Sequence, residues 1–171
     1  MFKMGDTVIH PVHGFCSVKS VAQGAPPDID GCVFVLKPGK SSPGDFKILL
    51  SADEVEKSGI RYPVDKEKIL DVLMILKSDP EELTDDSGKR YFALEEKIRS
   101  GDIYKIAEVV RDLKRGNNQS VLQKMSSIAQ LARGKLVDEI SYVRKASLKE
   151  ANRLIDNALK AKSKKGGSNG K

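Results

Sequence analysis

Apolar and polar residues alternate with a short period through the first sixty or so residues, then switch to a helical period. DTVIH (6–10), FCSVKSVA (15–22), CVFVLK (32–37) and DFKILL (45–50) read as strands, each placing its apolar residues on one face. HPVHG, QGAPPDIDG and PGKSSPGD separate them, dense in the Gly, Pro and Asp that turns require. Four short strands at this spacing predict a small barrel of the SH3 or Tudor kind. SADEVEKSG (51–59) reads as a short helical turn that closes it, and IRYPV (60–64) as the exit.

From Asp65 the spacing is helical. Asp65 reads as an N-cap, with Ile69, Leu70, Leu73 and Leu76 as the inward face of the first long helix. DPEELTDDSG (79–88) interrupts the pattern. KRYFALEEKIRSG (89–101) resumes it, with Tyr91, Leu94 and Ile98 packed inside. Asp102 caps the next helix, whose stripe is Ile103, Ile106, Val109, Val110 and Leu113. Ser120 and Gln123 resemble a capping box opening one long helix to Lys145, with Asn118 as an earlier alternative start. Gly134 lies inside that helix, so a close helix contact is expected there. Ser147 and Glu150 form a capping box for a last helix running to about Lys162. The fold class is therefore α+β in two domains. A Tudor/SH3-like barrel (1–62) precedes an all-α domain of about four to five helices (63–162), and 163–171 is a disordered basic tail.

Charge changes this picture. The chain carries a formal +6, but residues 1–63 are neutral, 64–86 sum to −5 and 87–171 to +11. Basic charge concentrated in one part of a chain points to a polyanion partner, against the alternative of a solvated helical surface. No apolar run approaches a membrane span and the N-terminus has no signal-peptide core, so a cytoplasmic protein with no membrane partner is expected.

His10, His13, Cys16 and, later, Cys32 raise the question of zinc. The spacing lacks the close ligand pairs of structural sites, and both cysteines lie in strand-like apolar runs. The expectation is a turn with two reduced thiols and neither metal nor cofactor. No nucleophile elbow, P-loop or H-E-x-x-H motif appears, so no enzyme and no small-molecule substrate are expected.

Two blocks carry a resemblance. FKMGDTVIHPVHGFCSV, with Gly5-Asp6, Pro11 and His13-Gly14, resembles the start of the CarD/CdnL family of bacterial RNA-polymerase-binding regulators. KRYFALEEKIRSGDIYKIAEVVRDLKR (89–115) resembles the family's helical domain through Arg90-Tyr91, Leu94, Lys97, Ser100-Gly101-Asp102 and Ala107 to Leu113. ARGKLVDEIS (132–141) is a weaker third match. The resemblance implies a Tudor-like domain, shared with transcription-repair coupling factor, that docks on the polymerase β subunit. It also implies a helical domain that holds the upstream edge of the promoter bubble, through phosphates and a wedge in the minor groove, without reading sequence.

Carried onto this chain, the resemblance places the polymerase contact on Phe46, Lys47, Ile48 and Leu49. It places DNA contacts on Lys89 and Arg90, with Lys97, Arg111, Lys114, Arg115 and Lys124 as further phosphate partners. The wedge is commonly a tryptophan just before the R-R-Y. This chain has none, and Ser87 stands at that position beside Asp85 and Asp86. A serine cannot fill a gap between base pairs as an indole does. The expected function is thus a polymerase-docked, nucleoid-associated regulator of open-complex stability. The alternatives are a polymerase-binding interaction module without a DNA wedge, a general basic DNA-binding protein, and a metal-dependent enzyme built on the His and Cys residues.

Overall fold

The computed structural model of the chain describes residues 2–23, 32–39, 46–115 and 119–161; at 23, 119, 121 and 122 it describes the backbone alone. The QGAPPDIDG and PGKSSPGD loops lie largely outside these residues, and Asn118 and the tail lie wholly outside them. The chain divides into two units. One is Met1–Pro63 with Ile98–Gly101, and the other is Val64–Lys97 with Asp102–Lys171.

In the first unit, β1 (Thr7–His10), β2 (Gly14–Gln23), β3 (Cys32–Pro38) and β4 (Ile48–Ser51) form one antiparallel sheet in sequence order. This meander is the Tudor-like architecture predicted from the strand spacing. Gly14 sits at φ 67°, a left-handed conformation that lets the chain reverse between β1 and β2. Inward-facing Val8, Cys16, Val18, Phe34 and Leu36 build the core with Ile60. Ile48, Leu50, Ala52 and Val55 pack against it. Burial pushes the Cys16 thiol up to about 11, as for a small core hydrophobe. The helical turn is α1 (Ala52–Lys57), opened by a complete capping box between Ser51 and Glu54. The edge of β1 is met by the exit segment, where the Ile9 amide donates to Arg61 O at 2.7 Å.

The second unit is helical: α2 (Lys66–Lys77), α3 (Ser87–Arg99, its last two residues counted with the first unit), α4 (Ile103–Arg115), α5 (Gln119–Lys124), α6 (Ser126–Arg144) and α7 (Leu148–Lys160). Helix α4 is the centre, packed on α2 and α6, while α7 packs on α2 and α6. Its predicted stripe is buried throughout, with Ala107 between. The Asp102 carboxylate accepts the Tyr104 amide at 2.8 Å, as an N-cap does. The Ser147–Glu150 capping box of α7 is also present in full. No helix among the described residues is long and apolar enough to cross a membrane.

Four expectations are corrected. On α2 the inward face is Ile69, Val72 and Leu76, and Leu70 is 56% exposed. The 69–72–76 spacing closes a tighter stripe on α4 and α7 than one passing through Leu70. On α3 the buried series is Arg90, Leu94 and Ile98 at four-residue steps, which turns Tyr91 outward. The long helix is two, because Met125 leaves helical geometry (φ −104°, ψ 19°) and buries its side chain. Ser126 and Ser127 follow it, residues whose hydroxyls compete for backbone bonds. Ser120 accordingly lies within α5 and opens no long helix, and among the described residues the unit has six helices against the four to five expected.

The fourth correction is Gly134. A Cβ built there meets nothing within 4 Å, so no close helix contact requires it. Gly134→Ala is expected to stabilise the protein by about 1 kcal/mol, the helix-propensity difference. Urea unfolding of the two proteins checks this; a loss of stability would mean that the position serves something beyond α6 itself.

Candidate nucleic-acid and polymerase interfaces

The candidate polymerase strand divides by face. Ile48 and Leu50 turn onto the barrel core, whereas Lys47 and Leu49 point outward, Leu49 at 58% exposure. Phe46 is partly exposed and meets the His13 ring edge-on, centroids 5.4 Å apart. Strand β4 pairs with β3 and, among the described residues, with no other strand. One outer edge with an outward Lys47–Leu49 pair is therefore what β4 presents.

The HPVHG turn is built by its own histidine. His10 Nδ1 accepts the amides of Val12 (3.1 Å) and His13 (3.3 Å), which fixes the reversal after β1. Cys16 faces the core and Cys32 packs at its margin. Each of these four side chains thus has a place in the barrel's own packing or turn geometry.

The seven basic candidates of the helical unit separate into two sets. Arg90 is 6% exposed, and its Nε and Nη2 both donate to Thr84 O, tying the loop before α3 back onto that helix. Lys97 bridges α3 to Glu108 on α4 at 2.8 Å and reaches Glu81 at 3.6 Å. Burial lowers the Lys97 pKa, but its hydrogen bond to Glu108 and the charges of Glu108, Glu81 and Asp112 outweigh this and hold it above the ordinary lysine range. Arg111 is buried and donates to Asp112 Oδ1 (2.7 Å) and Ser78 Oγ (3.0 Å). Arg115 Nη1 donates to the carbonyls of Leu159 (3.1 Å) and Ala161 (2.9 Å), at the C-terminal end of α7. It also approaches Leu76 O on α2 at 3.4 Å. Lys89, Lys114 and Lys124 form the second set, and all three are exposed.

Ser87, at the wedge position, is the exposed first residue of α3. Of the two acidic residues beside it, Asp86 has a structural use. Asp86 Oδ1 accepts the amides of Gly88 (2.9 Å) and Lys89 (3.0 Å), capping α3. Asp112 Oδ1 accepts the Glu81 amide at 2.9 Å. Sequence reasoning missed the Asp86 cap, although an Asp just before a helical run is the usual signal for one. It also missed that Arg90 lies in the four-residue series with Leu94 and Ile98. Phe92 is 70% exposed one turn into α3, its ring edge-on to Tyr91 at 6.1 Å.

Arg90→Ala is expected to destabilise the protein by about 2–3 kcal/mol, since it removes a charged donor pair and leaves a carbonyl unmatched. Lys89→Ala is expected to stay within about 0.5 kcal/mol of the parent. Urea unfolding of both variants checks the pair; equal stabilities would sink the anchoring role.

Comparison with known sequences fits this arrangement. The chain is 24% identical over 122 residues to a Bacillus subtilis (strain 168) protein described as "Putative transcription factor YdeB", which covers 71% of this chain and 78% of that protein. Residues 71–156 match the family described as CarD, C-terminal domain. That match runs from α2 into α7 and takes in the Arg90, Lys97, Arg111 and Arg115 anchors. With half of its length matched in this way, the chain belongs to the CarD family.

Proposed function

We propose that this protein is a transcription regulator that docks on the bacterial RNA polymerase β subunit through the β4 edge and contacts upstream promoter DNA with its helical unit. The β4 edge carries the reading: an edge with no strand partner among the described residues can take a partner strand through main-chain bonds, while outward Lys47 and Leu49 supply side-chain contacts. Family membership and the description of the Bacillus relative as a transcription factor support the regulatory role.

Within this reading exposed Lys89, Lys114 and Lys124 contribute phosphate contacts, their side chains having no internal hydrogen bond or ion pair to give up among the described residues. Ser87 offers a hydroxyl where a wedge would stand, so stabilisation of the open complex rests on phosphate contacts and is weak and salt-sensitive. Docking on polymerase keeps DNA at high local concentration, so weak contacts suffice. A second reading, a polymerase-binding module that leaves DNA alone, draws on the internal use of Arg90, Lys97, Arg111 and Arg115.

Two measurements test this. Lys47→Glu with Leu49→Asp is expected to weaken binding to the isolated β subunit at least about tenfold, a loss of about 1.4 kcal/mol. Unaltered binding would remove β4 as the docking edge. Open complexes formed by the cognate polymerase are expected to last longer with the protein present after a competitor challenge. The gain should shrink with Lys89→Gln, Lys114→Gln and Lys124→Gln combined. Unchanged lifetimes under confirmed docking would favour the second reading.

A further inference from the structure

We infer that the α6–α7 hairpin is a phosphate-backbone-binding surface, and that it carries more of this protein's DNA affinity than the first turn of α3. The inference deepens the DNA-contact half of the proposed function and rests on it. Between residues 144 and 153 stand Arg144, Lys145, Lys149 and Arg153, all exposed, against the single carboxylate of Glu150. At 100° per residue, Lys149, Arg153 and Lys160 fall within about 40° of one another on α7, a stripe about 16 Å long. Asp156 shares that face, but Arg133 of α6 holds it at 2.8 Å and offsets its charge.

Two details set this surface apart from an ordinary solvated helix face. Glu150 is turned back onto the cap, its Oε2 accepting from the Ser147 amide (2.8 Å) and hydroxyl (2.7 Å). Lys145 occupies the left-handed C-cap position of α6 (φ 52°, ψ 41°). Glycine fills such a position without strain, whereas an L-residue there costs about 1 kcal/mol or more. A cation is thus kept at the tip of the hairpin against its backbone preference. Around α3 the balance is opposite. Arg90 is tied to Thr84, Lys97 and Arg111 answer Glu81 and its neighbours, and Asp85, Asp86, Glu95 and Glu96 surround Lys89 in sequence. A sequence-independent polyanion selects the surface where cations are exposed and least answered.

The test uses the full chain, a short fluorescein-labelled duplex of mixed sequence and no polymerase, with binding followed by anisotropy across a salt series. Arg144→Gln, Lys149→Gln and Arg153→Gln together are expected to lower affinity at least about tenfold and to flatten the log–log salt slope by about 2–3, near 0.9 per lost phosphate contact. The Lys89, Lys114 and Lys124 triple variant is expected to lose less. Glu150→Gln keeps the capping-box chemistry and is expected to bind about twofold more tightly, an independent check should the triple variant fold poorly. Three results would overturn the inference. They are a hairpin variant indistinguishable from the parent, no salt-dependent binding by the parent at low salt, or competition by poly-glutamate as effective as by unlabelled duplex. None of these touches the β4 docking measurement, so the two readings fail separately.

Discussion

The helical unit depends on a guanidinium and a carboxylate buried side by side on α4. Arg111 and Asp112 are adjacent in sequence, a spacing that normally points side chains apart on a helix. Here Arg111 Nε reaches Asp112 Oδ1 at 2.7 Å, and the pair is 6% and 1% exposed. Removing two charges from water is costly, and close attraction offsets that cost only when the remaining polar atoms are matched. Ser78 Oγ and the Glu81 amide supply part of that match, and both come from the segment that follows α2. Among the described residues Asp112 Oδ2 and Arg111 Nη2 have no hydrogen-bond partner, although the Glu81 carboxylate stands 3.4 Å from Nη2. An apolar pair of the same volume would pack there at less cost, but it could not hold two specified points of an acidic loop. The pair therefore sets where the 78–86 segment lies, and through Arg90 and Thr84 where α3 begins.

This gives the A-E-V-V-R-D-L block a physical meaning different from the one its charge suggests. Glu108 answers Lys97, Arg111 and Asp112 form the buried pair, and the apolar residues fill the core between α2 and α6. Gly101, at φ 71°, ends α3 in the left-handed conformation, and Asp102 opens α4. The letters that make the family match specific are largely those that fold the helical unit. A residue's membership in the motif is thus weak grounds for placing it at DNA.

Much of the fold was legible because its signals are local. Ser51–Glu54 and Ser147–Glu150 each contain a complete capping box within four residues, and the α4 stripe repeats at helical spacing for three turns. Misreadings arose where tertiary packing chose between near-equal local options. Arg90 and Tyr91 are adjacent, and hydrophobicity favours burying the tyrosine. The Thr84 carbonyl, waiting for a donor, buries the arginine instead. Leu70 and Val72 present the same ambiguity on α2, settled by the faces of α4 and α7. The break at Met125 has no glycine or proline to announce it. The candidate site was legible as a set of charges but not as a surface, because a sequence does not say which cations already have carbonyl or carboxylate partners.

That distinction decides how the charge of the C-terminal half acts. Its sum of +11 over residues 87–171 matters at long range, but at physiological ionic strength fields fall off over about 8 Å. A phosphate approaching the surface therefore responds to the few charges nearest it. Near the start of α3 these include Asp85 and Asp86, while Arg90 is turned inward toward a carbonyl. At the α6–α7 turn they are Arg144, Lys145, Lys149 and Arg153, with Glu150 folded onto its own helix cap. The helical unit consequently has an electrical direction, acidic along the 79–86 segment and basic along the hairpin. A polyanion would orient the unit by that direction before any wedge or base contact could act.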